Sequence, residues 1–140
     1  MNETGRILLA LLAGGATVYT FWRAETMQLT TVQYGVVATV VITAAIHLLA
    51  GPAEPWLYLN GMGFLLLALY FLPLTRLHPL ITWVFIAYTL LTVALYFVVH
   101  PWGMLNGNVD VLGIFTKVVE GILVLLLLMD WRQSVPETAT

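Results

Sequence analysis

The sequence predicts an all-α fold: an integral membrane helical bundle of five spans, with a four-helix core and one added N-terminal helix. Three observations predict it. Apolar residues make up 61% of the 140 residues, while Asp, Glu, Lys and Arg supply only 9%; a soluble domain has roughly half and a quarter. Five apolar runs approach the length needed to cross about 30 Å of hydrocarbon at 1.5 Å per residue. Short breakers separate them: Pro52 and Pro55, Pro73 and Pro79, then Pro101 and Gly103 ahead of Asn106-Gly107-Asn108, residue types that end helices or open turns. A bilayer offers no water to free backbone groups, so these runs must be helices, and they are too long for the strands of an outer-membrane barrel. The whole of 1–140 then reads as a single transmembrane domain.

The first run, 7–22, is short and follows Arg6, a pattern shared with signal peptides. Tyr19, Phe21 and Trp22 stand where a signal peptidase needs small residues, so a retained helix is expected. Its Ala10, Ala13, Gly14, Gly15 and Ala16 form a small-residue face on which another helix can lie closely. The second run, 33–51, places Thr39, Thr43 and His47 at i, i+4 and i+8, hence on one face. The third, 56–73, carries Asn60 followed by Gly61 and Gly63, an amide beside residues that permit close approach. The fourth, 80–100, repeats the four-residue spacing with Tyr88, Thr92, Tyr96 and His100. The fifth, 109–130, holds Lys117 and Glu120 three apart and Asp110 seven before Lys117, so acid, base and acid share one stripe. Residues 131–140 form a polar tail.

The last run carries the sharpest signal. A Lys and a carboxylate near the centre of a span cost about 5 to 7 kcal/mol on an insertion scale, and the apolar residues of this span return only about 4 to 8. Such a helix cannot expose the pair to lipid, so Lys117 and Glu120 are expected to pair with each other or with a neighbouring helix. His47, Asn60, Tyr96, His100 and Lys117 fall at similar depth, with Glu120 nearer the middle, which suggests one polar cluster open to the outer side. The blander readings are a structural ion pair that selects which faces meet, threonines bonded to their own helix carbonyls and packed tyrosines.

Five spans put the ends on opposite sides. Arg23, Arg76 and Arg132 then share one side and Arg6 stands alone on the other; the positive-inside bias predicts the cell (inner or plasma) membrane with the N-terminus outside and the C-terminus cytoplasmic. Trp22, Trp83 and Trp131 near the inner boundary, and Trp56 and Trp102 near the outer one, suit interfacial anchors.

Several classes are disfavoured. A net charge of -2 offers no basic surface for nucleic acid. The chain has no cysteine, which removes disulfides, thiolate metal sites and a cysteine nucleophile, and its one serine, Ser134, lies in the polar tail. Metal-ligand spacings, a Walker loop and a Gly-x-Ser-x-Gly elbow do not occur, so no catalytic residue, metal or cofactor is expected. The one cofactor alternative is a single b-type haem held by His47 and His100 from two helices.

His47 in "AIHLLAG", the run "LYLNGMGFLLLALYFLP" and "FTKVVEGILVLLLL" resemble a family of small uncharacterised four-helix integral membrane proteins of haloarchaea and some bacteria, over about residues 32–131. The resemblance implies a four-helix core with a His near one helix end and a Lys-x-x-Glu in the last helix; it implies no activity. The expected role is a non-catalytic accessory or assembly subunit of a larger membrane complex, whose partners are the lipid bilayer and other membrane subunits or copies of itself. The first alternative is a small permease or proton-linked carrier that uses the Lys117/Glu120 pair, and the second is haem binding. The residues expected to form the polar cluster are Lys117, Glu120, His47, Asn60, Tyr96 and Asp110.

Overall fold

A computed structural model describes residues 2–24, 29–50, 55–68, 79–99 and 110–134. Among them the chain is all-helical: α1 (Glu3–Ala24), α2 (Thr31–Ala50), α3 (Pro55–Ala68), α4 (Pro79–Val99) and α5 (Val111–Ser134). Each helix begins for a local chemical reason. The Asn2 carboxamide oxygen accepts from Gly5 N at 2.9 Å, and the Asp110 carboxylate accepts from Gly113 N at 2.8 Å, so both side chains cap an otherwise unpaired donor. At α2, Thr30 Oγ1 accepts from Gln33 N at 3.3 Å while Gln33 Oε1 accepts from Thr30 N at 3.1 Å, a reciprocal capping box. Pro55 and Pro79 open α3 and α4 at the position where a missing N–H costs nothing.

Two helices extend past their expected boundaries. The first helix starts at Glu3, ahead of Arg6, and the last runs through Ser134, so Trp131 to Ser134 belong to a helix and not to the polar tail. The reason is packing and bonding at that end: the Trp131 ring meets Trp83 edge-on at 5.4 Å, and Ser134 Oγ donates to Asp130 O at 2.8 Å. The described part of α3 has 14 residues, about 21 Å of helix; residues 69–73 of the expected third run lie outside the described residues. The other four helices are each long and apolar enough to cross a membrane.

Neighbouring helices run antiparallel. The α1–α2 contact joins Gly14 to Ala38 and Ile42, α2–α3 joins Gly61 to Ala44 and Leu48, α3–α4 joins Asn60 to Tyr88, and α4–α5 joins Thr92 to Glu120. α2 and α5 are paired from end to end, by Gln33 with Asp130 and by His47 with Glu120. One buried cluster draws on these last four helices, with Val36 and Val40 of α2, Phe64 of α3, Phe85 of α4 and Leu123 and Leu127 of α5. α1 contributes none of the fully buried members. It lies to one side, in a smaller cluster where Ala10 meets Ile46 and Leu112.

The small residues of α1 explain this seat. A Cβ on Gly14 would come within 2.7 Å of Ile42 Cγ1 and 3.1 Å of Ala38 O, whereas one on Gly15 would meet nothing. Close helix approach therefore rests on Gly14 and not on its neighbour.

The distribution of polarity is inverted relative to a water-soluble domain. Leu12 is 69%, Leu66 63% and Leu125 62% exposed, while Glu120 is fully buried and His47, Thr43, Thr89, Thr116 and Asp130 are buried with it. Soluble monomers rarely expose contiguous apolar surface on this scale. Leucines outside and ionisable groups inside suit a protein whose surroundings are acyl chains.

Candidate functional site

The centre of the site is the Glu120 carboxylate, and three helices supply its donors. Lys117 Nζ, one turn earlier on α5, donates to Oε2 at 2.7 Å. Thr92 Oγ1 of α4 donates to the same oxygen at 3.1 Å; its single hydroxyl proton is shared with Thr89 O at 2.8 Å. His47 Nε2 of α2 lies 3.1 Å from Oε1. Glu120 is 0% exposed and the Lys117 side chain 9%, so neither charge reaches bulk solvent to any large degree.

The hydrogen-bond geometry assigns the tautomer of His47. Nε2 also sits 3.2 Å from the Asn60 amide nitrogen, and one ring nitrogen carries either a proton or a lone pair, not both. The Glu120 carboxylate receives Lys117 and Thr92 at Oε2 and has Oε1 left as an acceptor, so Nε2 carries the proton and donates to Oε1. Two N–H groups would then face each other unless the Asn60 amide is turned, oxygen toward His47 and nitrogen toward the Tyr88 hydroxyl. Amide oxygen and nitrogen are assigned from such networks; in the turned amide the single Nε2 proton is shared between Glu120 Oε1 and the Asn60 oxygen, and Tyr88, whose oxygen lies 2.6 Å from the amide, accepts from its nitrogen and donates to Asn60 O at 3.3 Å.

Packing holds these groups in place. The His47 ring stacks on Phe64 at 5.9 Å with only 5° between planes, and Tyr88 meets the same Phe64 edge-on at 5.3 Å. Gly61 and Gly63 serve different purposes. A Cβ on Gly61 would press on Ala44 O at 3.1 Å and His47 Cβ at 3.2 Å, so its absence seats α3 against α2; a Cβ on Gly63 would collide with the Tyr88 hydroxyl, so its absence lets Tyr88 reach Asn60. Gly113 plays a similar part at the start of α5, where a Cβ would strike the Asp110 carboxylate and the Tyr96 hydroxyl.

The structure thus brings together Lys117, Glu120, His47 and Asn60 as one connected network. Tyr96 joins through its ring, which lies 5.4 Å from Lys117 Nζ, a cation–π contact. Asp110 does not join the ion pair: it is exposed, caps α5, and accepts from Tyr96 OH at 3.3 Å. His100 lies outside the described residues. The Nε2 atom of His47, the other histidine of the haem alternative, is engaged by Glu120 and Asn60.

Two features exceed the sequence reading. Tyr88 and Thr92, for which aromatic packing and an own-helix carbonyl were sufficient explanations, are members of the network. At the opposite end of the α2–α5 interface, Gln33 Nε2 donates to Asp130 Oδ1 at 3.0 Å, with Asp130 5% exposed. The available signal for that pair was an acid closing the apolar run "LVLLLLMD", one position before an interfacial tryptophan. Among the described residues no group of three or more His, Asp or Glu could hold a metal ion. No protein-family model, curated protein or solved structure matches the chain.

Burial of an ion pair costs nearly as much desolvation as its attraction returns, whereas leaving one partner alone costs much more. Glu120→Met is therefore expected to destabilise the protein by about 3–5 kcal/mol, because the Lys117 ammonium loses its counter-charge. Lys117→Met combined with Glu120→Met should recover most of that loss. Unfolding in detergent measures the cycle, and strictly additive costs would refute the pairing.

Proposed function

We propose that the chain is a multi-pass integral protein of the cell membrane that acts as a non-catalytic accessory or assembly subunit of a larger membrane complex. One observation carries this reading: the Glu120 carboxylate is satisfied by Lys117, Thr92 and His47 from α5, α4 and α2. A network satisfied from within works as a clasp. What remains for partners is the apolar exterior, including α1, whose Leu8, Leu12, Tyr19 and Trp22 face outward. Purification from native membranes in mild detergent is expected to yield the chain with other membrane subunits; recovery solely as a free monomer would count against the reading.

All five helices span in this proposal, α3 with the apolar residues that follow it, and the start of α1 lies outside while the Arg132 end of α5 is cytoplasmic, as the arginine bias favours. A chain without cysteine allows a clean test. An impermeant thiol reagent applied to intact cells should label Asn2→Cys and reach Gln133→Cys only after permeabilisation; the reverse pattern would invert the topology.

A second reading, a small proton-linked carrier, is favoured by one specific arrangement. From the exposed Asp110, Tyr96 leads to Lys117 and Lys117 to the fully buried Glu120, so a titratable group deep in the bundle connects by polar side chains to one surface. Glu120 is then the group that gains and loses the proton, with Lys117 as its counter-charge. Liposomes containing Glu120→Gln should lose proton flux by at least about tenfold, the range of a removed acid–base group; flux equal to that of the unsubstituted protein would exclude this reading.

A further inference from the structure

The hydrogen bonds around His47 close in two ways. With Glu120 ionised, Nε2 carries the ring proton, the Asn60 oxygen faces it and the Asn60 nitrogen faces Tyr88. The same atoms also close when Glu120 is neutral. Its proton then sits on Oε1 and is donated across the same 3.1 Å to a bare Nε2. The Asn60 nitrogen donates to that lone pair across 3.2 Å, and the Tyr88 hydroxyl donates to the Asn60 oxygen at 2.6 Å, within the range of O–H···O bonds. Lys117 and Thr92 keep donating to Oε2, which is an acceptor in either form of the acid.

Passing between the two needs no repacking. Amide oxygen and nitrogen differ little in size, so a half-turn of the Asn60 amide exchanges them in place. The ring need not rotate: stacked on Phe64 with 5° between planes, it keeps Nε2 toward Glu120 in both. Only the ring proton changes atom. Both side-chain contacts of His47 fall on Nε2, so Nδ1 is the nitrogen left to receive it. The ionisable groups around the site are Lys117 of α5 itself, His47 of α2 and Tyr88 of α4, with Tyr96 of α4 over Lys117. α3 contributes the neutral Asn60, and α1 meets α5 near Leu112, about two turns earlier.

We infer that Glu120, His47 and Asn60 form a binding site for one proton, with two complete hydrogen-bond arrangements that differ by that proton, by the His47 tautomer and by a half-turn of the Asn60 amide. This deepens the carrier reading and rests on its assignment of Glu120 as the titrating group. On uptake a proton forms the Nδ1–H bond, the Nε2–H bond breaks, and the released proton forms the Oε1–H bond. The ring is neutral before and after; the carboxylate loses its charge and Lys117 keeps its own. Release reverses each step. The charge on Glu120 of α5 is thereby registered on α3 and α4, through the orientation of Asn60 and the acceptor that Tyr88 chooses.

The test is the protonation of the two His47 ring nitrogens, read by nitrogen NMR on the full chain in detergent as the pH is lowered. The protonated atom is expected to change from Nε2 above the transition to Nδ1 below it. Glu120→Gln supplies a neutral side chain whose amide donates to Nε2, and it holds the Nδ1–H tautomer at every pH. A transition that leaves both ring nitrogens protonated overturns the site, because His47 then titrates as an ordinary imidazole. So does a ring that stays Nε2–H over the whole pH range in which the chain is folded, or an Nε2–H ring in Glu120→Gln. Proton flux is a separate measurement: exchange without flux in liposomes keeps this site and removes the carrier reading, whereas flux without exchange removes this site alone.

Discussion

A carboxylate cannot be left unsolvated in hydrocarbon, and in this protein that constraint acts at Glu120. Acyl chains offer no hydrogen-bond donors, so protein groups must supply them. Lys117 comes from the same helix, Thr92 from α4 and His47 from α2, while Asn60 of α3 braces the histidine and is braced by Tyr88. Four helices are therefore held in mutual register by one buried acid. The same requirement explains the glycines: Gly63 makes room for the Tyr88 hydroxyl and Gly61 lets α3 approach the backbone beside His47.

The apolar effect that organises soluble proteins contributes little between helices already immersed in lipid. Close packing and interior hydrogen bonds take its place. Gly14 brings α1 onto α2, Phe64 lies under His47, and Trp83 meets Trp131 at the far end of the α4–α5 pair. The exposed leucines of α1, α3, α4 and α5 suit surroundings of acyl chains. The two buried acids of the α2–α5 interface, Glu120 and Asp130, are handled differently: one is paired with an ammonium, the other with the amide of Gln33.

Much of the site was legible before any contact was known. Lys117 and Glu120 were visible because two opposite charges three residues apart in an apolar run can only be tolerated together, and His47 because it shares a helical face with two threonines. Asn60 was marked by the glycines that follow it. Asp110 shared a stripe with them and still serves another purpose, because a residue at a helix start is drawn to the free backbone donors there. Tyr88 and Thr92 had adequate local explanations, and nothing in their own helix distinguishes a hydroxyl that packs from one that reaches across. Gln33 and Asp130 are 97 positions apart, a separation at which helical periodicity carries no information about pairing.

The sequence by itself determined that the chain is helical, apolar on its outer faces and polar along particular stripes, because each helix must satisfy its own backbone where water is scarce, and periodicity then assigns side chains to faces. Only the tertiary structure decided which stripes meet. Whether a histidine, an amide or a threonine reaches a given carboxylate depends on the relative rotation and depth of helices distant in the chain, and these are set by the close approach of small residues and by the cost of leaving any buried donor or acceptor unpaired.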